Sequence, residues 1–155
     1  MKRYPERMLL VPIALVLVLA GIAVTEHSVK AQAPDPTNLL FNFVTNQAGF
    51  DTLLEIANTT QDPYGTTAVS GRCTLNFFGV NAPAAFTTAV IPAGTVRGLK
   101  ASTIAPNFQG YIIATCQFPL AHGWYSLRKP GTSEISGSQA QVLPSPRNNP
   151  ESLNQ

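Results

Sequence analysis

Two alternating runs, each with a cysteine on the side of its bulky apolar residues, limit what this chain can fold into more than any other feature. Between Arg72 and Gly79, Cys73, Leu75 and Phe77 fall on one face while Thr74, Asn76 and Phe78 fall on the other. Between Tyr111 and Phe118, Ile112, Ala114, Cys116 and Phe118 share a face. A period of two marks a half-buried strand, because successive side chains leave a strand on opposite sides. Both sulfurs are therefore expected to point into one core from different strands. A Cys73–Cys116 bridge would close a loop of about 43 residues and contribute roughly 4 kcal/mol by restricting the unfolded chain. The usual total stability is only about 5–15 kcal/mol. On this reading the bridge locks two facing sheets together. Two buried free thiols are the plainer alternative. A reactive or metal-binding pair is the weakest, since no CxxC spacing occurs.

The compartment supports the bridge. Lys2, Arg3 and Arg7 precede an apolar run from Met8 to Val24, and Val29-Lys30-Ala31 follows with small residues at the two positions a signal peptidase reads. That order is the layout of a secretory signal over residues 1–31, cleaved after Ala31, and export places the cysteines where disulfides persist. The rival reading retains residues 8–24 as a membrane anchor, since about 17 apolar residues lie at the lower edge of a span. Pro12, Gly21 and the polar stretch from Thr25 favour cleavage. The formal net charge of +2 resides in the targeting segment, and the remainder holds six acids and six bases. No basic patch remains to attract nucleic acid.

Residues 32–38 read as an extended lead-in, with Pro34 and Pro36 opposing helix. A first strand is expected over 39–44, and a second over 52–58 with Leu54 and Ile56 inward. Residues 59–71 form a long polar loop built on Asp62-Pro63-Tyr64-Gly65, a turn sequence. Besides the two cysteine-bearing runs, strands are expected over 86–91, over 95–102 with a bulge at Gly98, and over 123–128. No window outside the signal shows apolar residues at helical spacing. The fold class is all-β: a single antiparallel immunoglobulin-like β-sandwich of about seven strands over 39–128. The likeness to immunoglobulins is broad only, since Trp124 follows the second cysteine and Ala114 stands where a tyrosine corner would need Tyr. From 129 to 155 Ser, Asn, Gln, Pro and Gly dominate, which reads as a polar, largely flexible tail with 139–143 as a candidate edge strand.

The stretches NQAGFDTLLEIANTT (46–60), CTLNFFG (73–79), IPAGTV (91–96) and FQGYIIATCQFPLAHGW (108–124) together resemble a group of small exported bacterial proteins of unassigned function. The resemblance spans 39–127, and its last block is the most specific. It implies a β-sandwich behind a signal peptide and carries no catalytic residue. The chain departs from the group after Trp124, where an apolar strand is usual and Arg128-Lys129-Pro130 stands instead.

Chemistry-bearing residues are sparse. His122 is the only histidine after the signal, no GxSxG elbow surrounds any serine, and the acids are scattered singly. Asp51 and Asp62 could join a calcium site only with much help from backbone carbonyls, and solvated loop positions are the simpler reading. Asn58-Thr59-Thr60 matches a glycosylation sequon but reads as a polar strand end. No cofactor is implied. Tyr64, Phe108, Tyr111, His122 and Trp124 form the candidate binding surface, with plugs at the ends of the sandwich as the bland alternative for the rings. The preferred expectation is a non-enzymatic exported module that binds an envelope protein or a glycan. The alternative is a small secreted hydrolase assembled from scattered acids and His122.

Overall fold

The structure is a computed structural model that describes residues 35–133 and 135–144. Residues 1–34, which hold the expected signal and the start of the expected lead-in, and residues 145–155 lie outside the described residues; the lead-in's last two residues, Thr37 and Asn38, already belong to the first strand. Among the described residues no helix is long and apolar enough to cross a membrane. The order is β1 (Thr37–Thr45), β2 (Asp51–Asn58), β3 (Cys73–Val80), β4 (Phe86–Thr87), β5 (Val96–Lys100), a single helical turn α1 (Ala101–Ile104), β6 (Gln109–Cys116), β7 (Ala121–Arg128), β8 (Ile135–Gln139) and β9 (Gln141–Leu143). The strands form two antiparallel sheets, one in the order β4-β3-β6-β1-β9 and the other β5-β2-β7-β8. The all-β sandwich expected from the alternation is present, with nine strands among the described residues instead of seven.

Its core is made by the inward parity of both sheets. Leu39, Phe41, Leu75, Phe77, Ile112 and Ala114 meet Leu54, Ile56, Leu99, Ala121 and Tyr125, all buried in one cluster. Each large side chain buried this way contributes about 1.5–3 kcal/mol relative to exposure. Phe41 and Tyr125 join the sheets edge to face, with ring centroids 5.9 Å apart. Gly123 makes room for that contact. A Cβ there would stand 2.9 Å from Phe41 Cζ and 2.7 Å from Ala140 Cβ.

Cys73 and Cys116 are bonded, the expected outcome of placing both sulfurs on the core side. The expectation that the bond locks facing sheets is wrong. β3 and β6 are neighbours in one sheet, and the two cysteines are direct cross-strand partners. Gln117 N–H donates to Arg72 C=O at 2.9 Å beside them, so the pair lies between ladder bonds, where opposed Cα atoms come closest. Parity decides that both sulfurs face the core and is silent about which strands are adjacent.

Other expectations were displaced by local chemistry. The run 86–91 pairs with β3 only at Phe86 and Thr87. Beyond them the Thr88 hydroxyl, not its backbone carbonyl, accepts from Cys73 N–H at 3.0 Å, which interrupts the ladder until Ile91 meets Gly71. No bulge occurs at Gly98, where β5 and β2 stay in continuous register. The bulge sits in β1 between Phe41 and Val44, and its extra residue turns Asn42 and Phe43 outward before Val44 returns to the core. The run 95–102 ends early because Asp51 captures Ser102, its carboxylate accepting from Ser102 N–H at 3.0 Å and Oγ at 2.7 Å as the chain turns into α1.

The largest departure follows Arg128. Residues 135–143, expected to be tail apart from an edge strand, add one strand to each sheet. The chain crosses between the sheets at Ala140, whose N–H donates to Gly123 C=O at 2.9 Å. All five residues of β8 are exposed, so hydrophobic alternation had nothing to register.

Candidate functional site

The five residues of the expected surface do not form one patch. Phe108 is fully buried, packed edge to face on Phe77 at 5.4 Å, and leaves the candidate set. Asn46 turns it inward, accepting from Phe108 N–H at 2.9 Å and donating its own N–H to Phe108 C=O at 3.1 Å. Tyr64 is 90% exposed on the 59–71 loop, away from the strands that carry the others. Tyr111 lies on the outer face of the five-stranded sheet, stacked on Phe78 at 5.0 Å and 13°, so each ring covers a face of the other. Only His122 and Trp124 stand together, two positions apart on the outer face of the four-stranded sheet.

Register builds that face row by row. Gly98, Glu55, Trp124 and Gln139 lie side by side across β5, β2, β7 and β8. The next row holds Val96, Ala57 and His122. Between them is a shallow depression of about 260 Å³ lined by Glu55, Ala57, Val96, His122, Trp124 and Gln139. The Trp124 indole lies across β8 at Gly137, where a Cβ would come within 2.7 Å of Cζ2 and 3.3 Å of Nε1. Glycine at 137 thus seats the ring against backbone, and 43% of the residue stays exposed. Further along the same strands a second depression of about 340 Å³ is lined by Asp51, Leu53, Lys100, Arg128, Lys129 and Ile135, together with Pro130 and Thr132.

The acids are not gathered for metal binding. Asp51 opens β2 and holds Ser102, while Asp62 accepts from Tyr64 N–H at 2.8 Å within its own loop. Hydrogen bonding from the Thr66 side chain, then from Tyr64 N–H, holds the Asp62 carboxyl below the usual carboxylate range. Among the described residues no three of His, Cys, Asp and Glu are grouped to hold a metal ion. His122 shares its depression with Glu55, and no serine lines it. The sequon asparagine is 1% exposed, with its amide donating to Val69 C=O at 2.8 Å and Ile91 C=O at 3.1 Å. It is a structural polar strand end.

Sequence reasoning named Trp124 and His122 as candidates but not the residues that stand beside them. The alternation that turns Leu54 and Ile56 inward leaves Glu55 on the outer face without naming a partner, Gly137 falls in the expected tail, and Gln139 opens the candidate edge strand 139–143. Composition offered no signal for either, because their role exists only once β8 lies beside β7. Compared with known proteins, the chain matches no family model, no curated protein and no solved structure.

Proposed function

We propose that this chain is a non-enzymatic exported β-sandwich module that binds a glycan at the bacterial cell envelope or outside the cell, through the outer face of its four-stranded sheet. The observation that carries this reading is the seating of Trp124 on Gly137, beside Glu55, His122 and Gln139. A sugar ring presents an apolar face of C–H groups and a rim of hydroxyls. An indole fixed against backbone stacks on the former, while a carboxylate, an imidazole and an amide take hydrogen bonds from or give them to the latter. The depression, at about 260 Å³, falls below the ~300–1,000 Å³ of sites that enclose a small molecule. An open shelf of that size suits one ring of a longer chain. The secretory signal, the disulfide and the resemblance to small exported bacterial proteins support the location.

Trp124 is the single tryptophan of the chain, so tryptophan-selective fluorescence reports this face alone. Titration with a panel of neutral and acidic oligosaccharides is expected to shift that emission, and calorimetry of Trp124→Ala is expected to show binding lost with the fold retained. A panel without any effect on emission or heat would defeat the proposal. The second reading, a small hydrolase, is favoured by one observation, the shared depression of His122 and Glu55. Release of new reducing ends that stops in His122→Ala would establish it in place of the first.

A further inference from the structure

We propose that the glycan is acidic, an oligosaccharide bearing carboxylate or sulfate groups, with one anionic group seated in the second depression between Lys100 and Arg128. This rests on the preceding reading of the Trp124 shelf and names the class of its ligand. The second depression continues the same sheet face. Arg128 lies four positions beyond Trp124 on β7, or roughly 13 Å at the rise of a strand, and Lys100 stands on β5 opposite Leu53. Among the described residues five cations occur, and three of them, Lys100, Arg128 and Lys129, line this one depression.

Two of those charges are available. Lys100 and Arg128 are exposed and make no hydrogen bond or ion pair with another side chain among the described residues. Asp51, the cross-strand partner of Arg128, lines the same depression and brings one negative charge to it, with both carboxylate oxygens accepting from Ser102 and no ion pair to Arg128 among the described residues. Lys129 is already engaged, its ammonium 5.9 Å from the centre of the Phe50 ring, and is not needed for the argument. Glu134, in the same loop, lies outside the described residues. The opposite face offers a contrast. The outward positions of β3, β6 and β1 carry Thr74, Asn76, Phe78, Tyr111, Ile113 and Leu40, with no charge among them. Among the described residues Lys100 and Arg128 face the single carboxylate of Asp51, and this excess of positive charge on the face that also holds the aromatic shelf selects an anion, while the separation of shelf and cations selects an oligomer over a single acidic sugar. Exposed charges are screened over about 10 Å at 0.1 M salt, so the preference is salt-sensitive.

The test titrates Trp124 emission with oligogalacturonate, with a heparin-derived sulfated oligosaccharide of equal length, and with a neutral cello-oligosaccharide. At least one acidic probe is expected to bind about tenfold more tightly than the neutral one, with the advantage lost at high salt and in Lys100→Ala/Arg128→Ala. Preference for the uronate or for the sulfated probe identifies which anionic group the site accepts, and either supports the proposal. Equal affinity for acidic and neutral probes in the wild type, or an acidic preference that survives the double substitution, overturns it while leaving the Trp124 shelf in place. If no probe changes the emission, both readings fall. Both substituted side chains are solvent-exposed, and an unchanged melting temperature separates loss of binding from loss of fold.

Discussion

Cys73 and Cys116 stand directly opposite one another on neighbouring strands of a single sheet, their Cα atoms 4.0 Å apart. The bond therefore reinforces a pairing that the backbone ladder already makes, and the two sheets are joined instead by the apolar core and by hydrogen bonds such as Thr45 N–H to Thr52 Oγ1 and the Tyr125 hydroxyl to Asn42 Oδ1. Its effect operates through the unfolded chain, where it closes a loop between residues 43 positions apart.

Cys73→Ser/Cys116→Ser is expected to lower stability by about 2–4 kcal/mol while keeping the strand content of the folded protein. Denaturant unfolding with and without reductant measures the loss, and circular dichroism in the absence of denaturant measures what survives. Thiol titration of unfolded, unreduced protein should find no free sulfhydryl.

Asn58→Ala removes the most connected buried polar side chain. Its amide serves two carbonyls, and its Oδ1 accepts from Thr60 N–H at 3.2 Å and Thr60 Oγ at 2.7 Å. Losing it strands these groups away from water, and the expected cost is about 2–3 kcal/mol. Thr60→Val removes one hydroxyl of the same network and should cost less, so the two midpoints from chemical denaturation should rank in that order.

Gly137→Ala should separate the site from the fold. The added methyl group takes the place of the Trp124 ring, whose Cζ2 would lie 2.7 Å away. Because β8 is exposed along its length, stability should change by less than about 1 kcal/mol. Tryptophan emission should shift even without ligand, and oligosaccharide affinity should fall. An unshifted spectrum with full affinity would contradict the seating described here.

Acid should loosen the 59–71 loop. The Asp62 carboxyl is held below its ordinary value, so its contribution is fully present above the unfolded-state value and is lost as pH falls through the lower folded one. Carbon-detected NMR titration should place the Asp62 midpoint below the usual carboxylate range, with Tyr64 and Thr66 amide exchange accelerating over the same interval. Asp62→Asn should abolish that pH dependence.

The local rules written into the chain were enough for the strands whose alternation runs unbroken. Period-two alternation fixed the inward sets of β2, β3 and β6, put both sulfurs on the core side, and excluded long helices from the body of the domain, because side-chain direction on a strand follows from sequence parity alone. What parity cannot encode is adjacency. That Cys73 and Cys116 belong to one sheet, that the bulge falls in β1, and that 135–143 completes both sheets are outcomes of which backbone hydrogen bonds could be satisfied together in three dimensions. The candidate site has the same origin: Trp124 was legible as an aromatic residue, but its platform, its polar neighbours and the convergence of Lys100 and Arg128 arise from strands that meet only when the chain is folded.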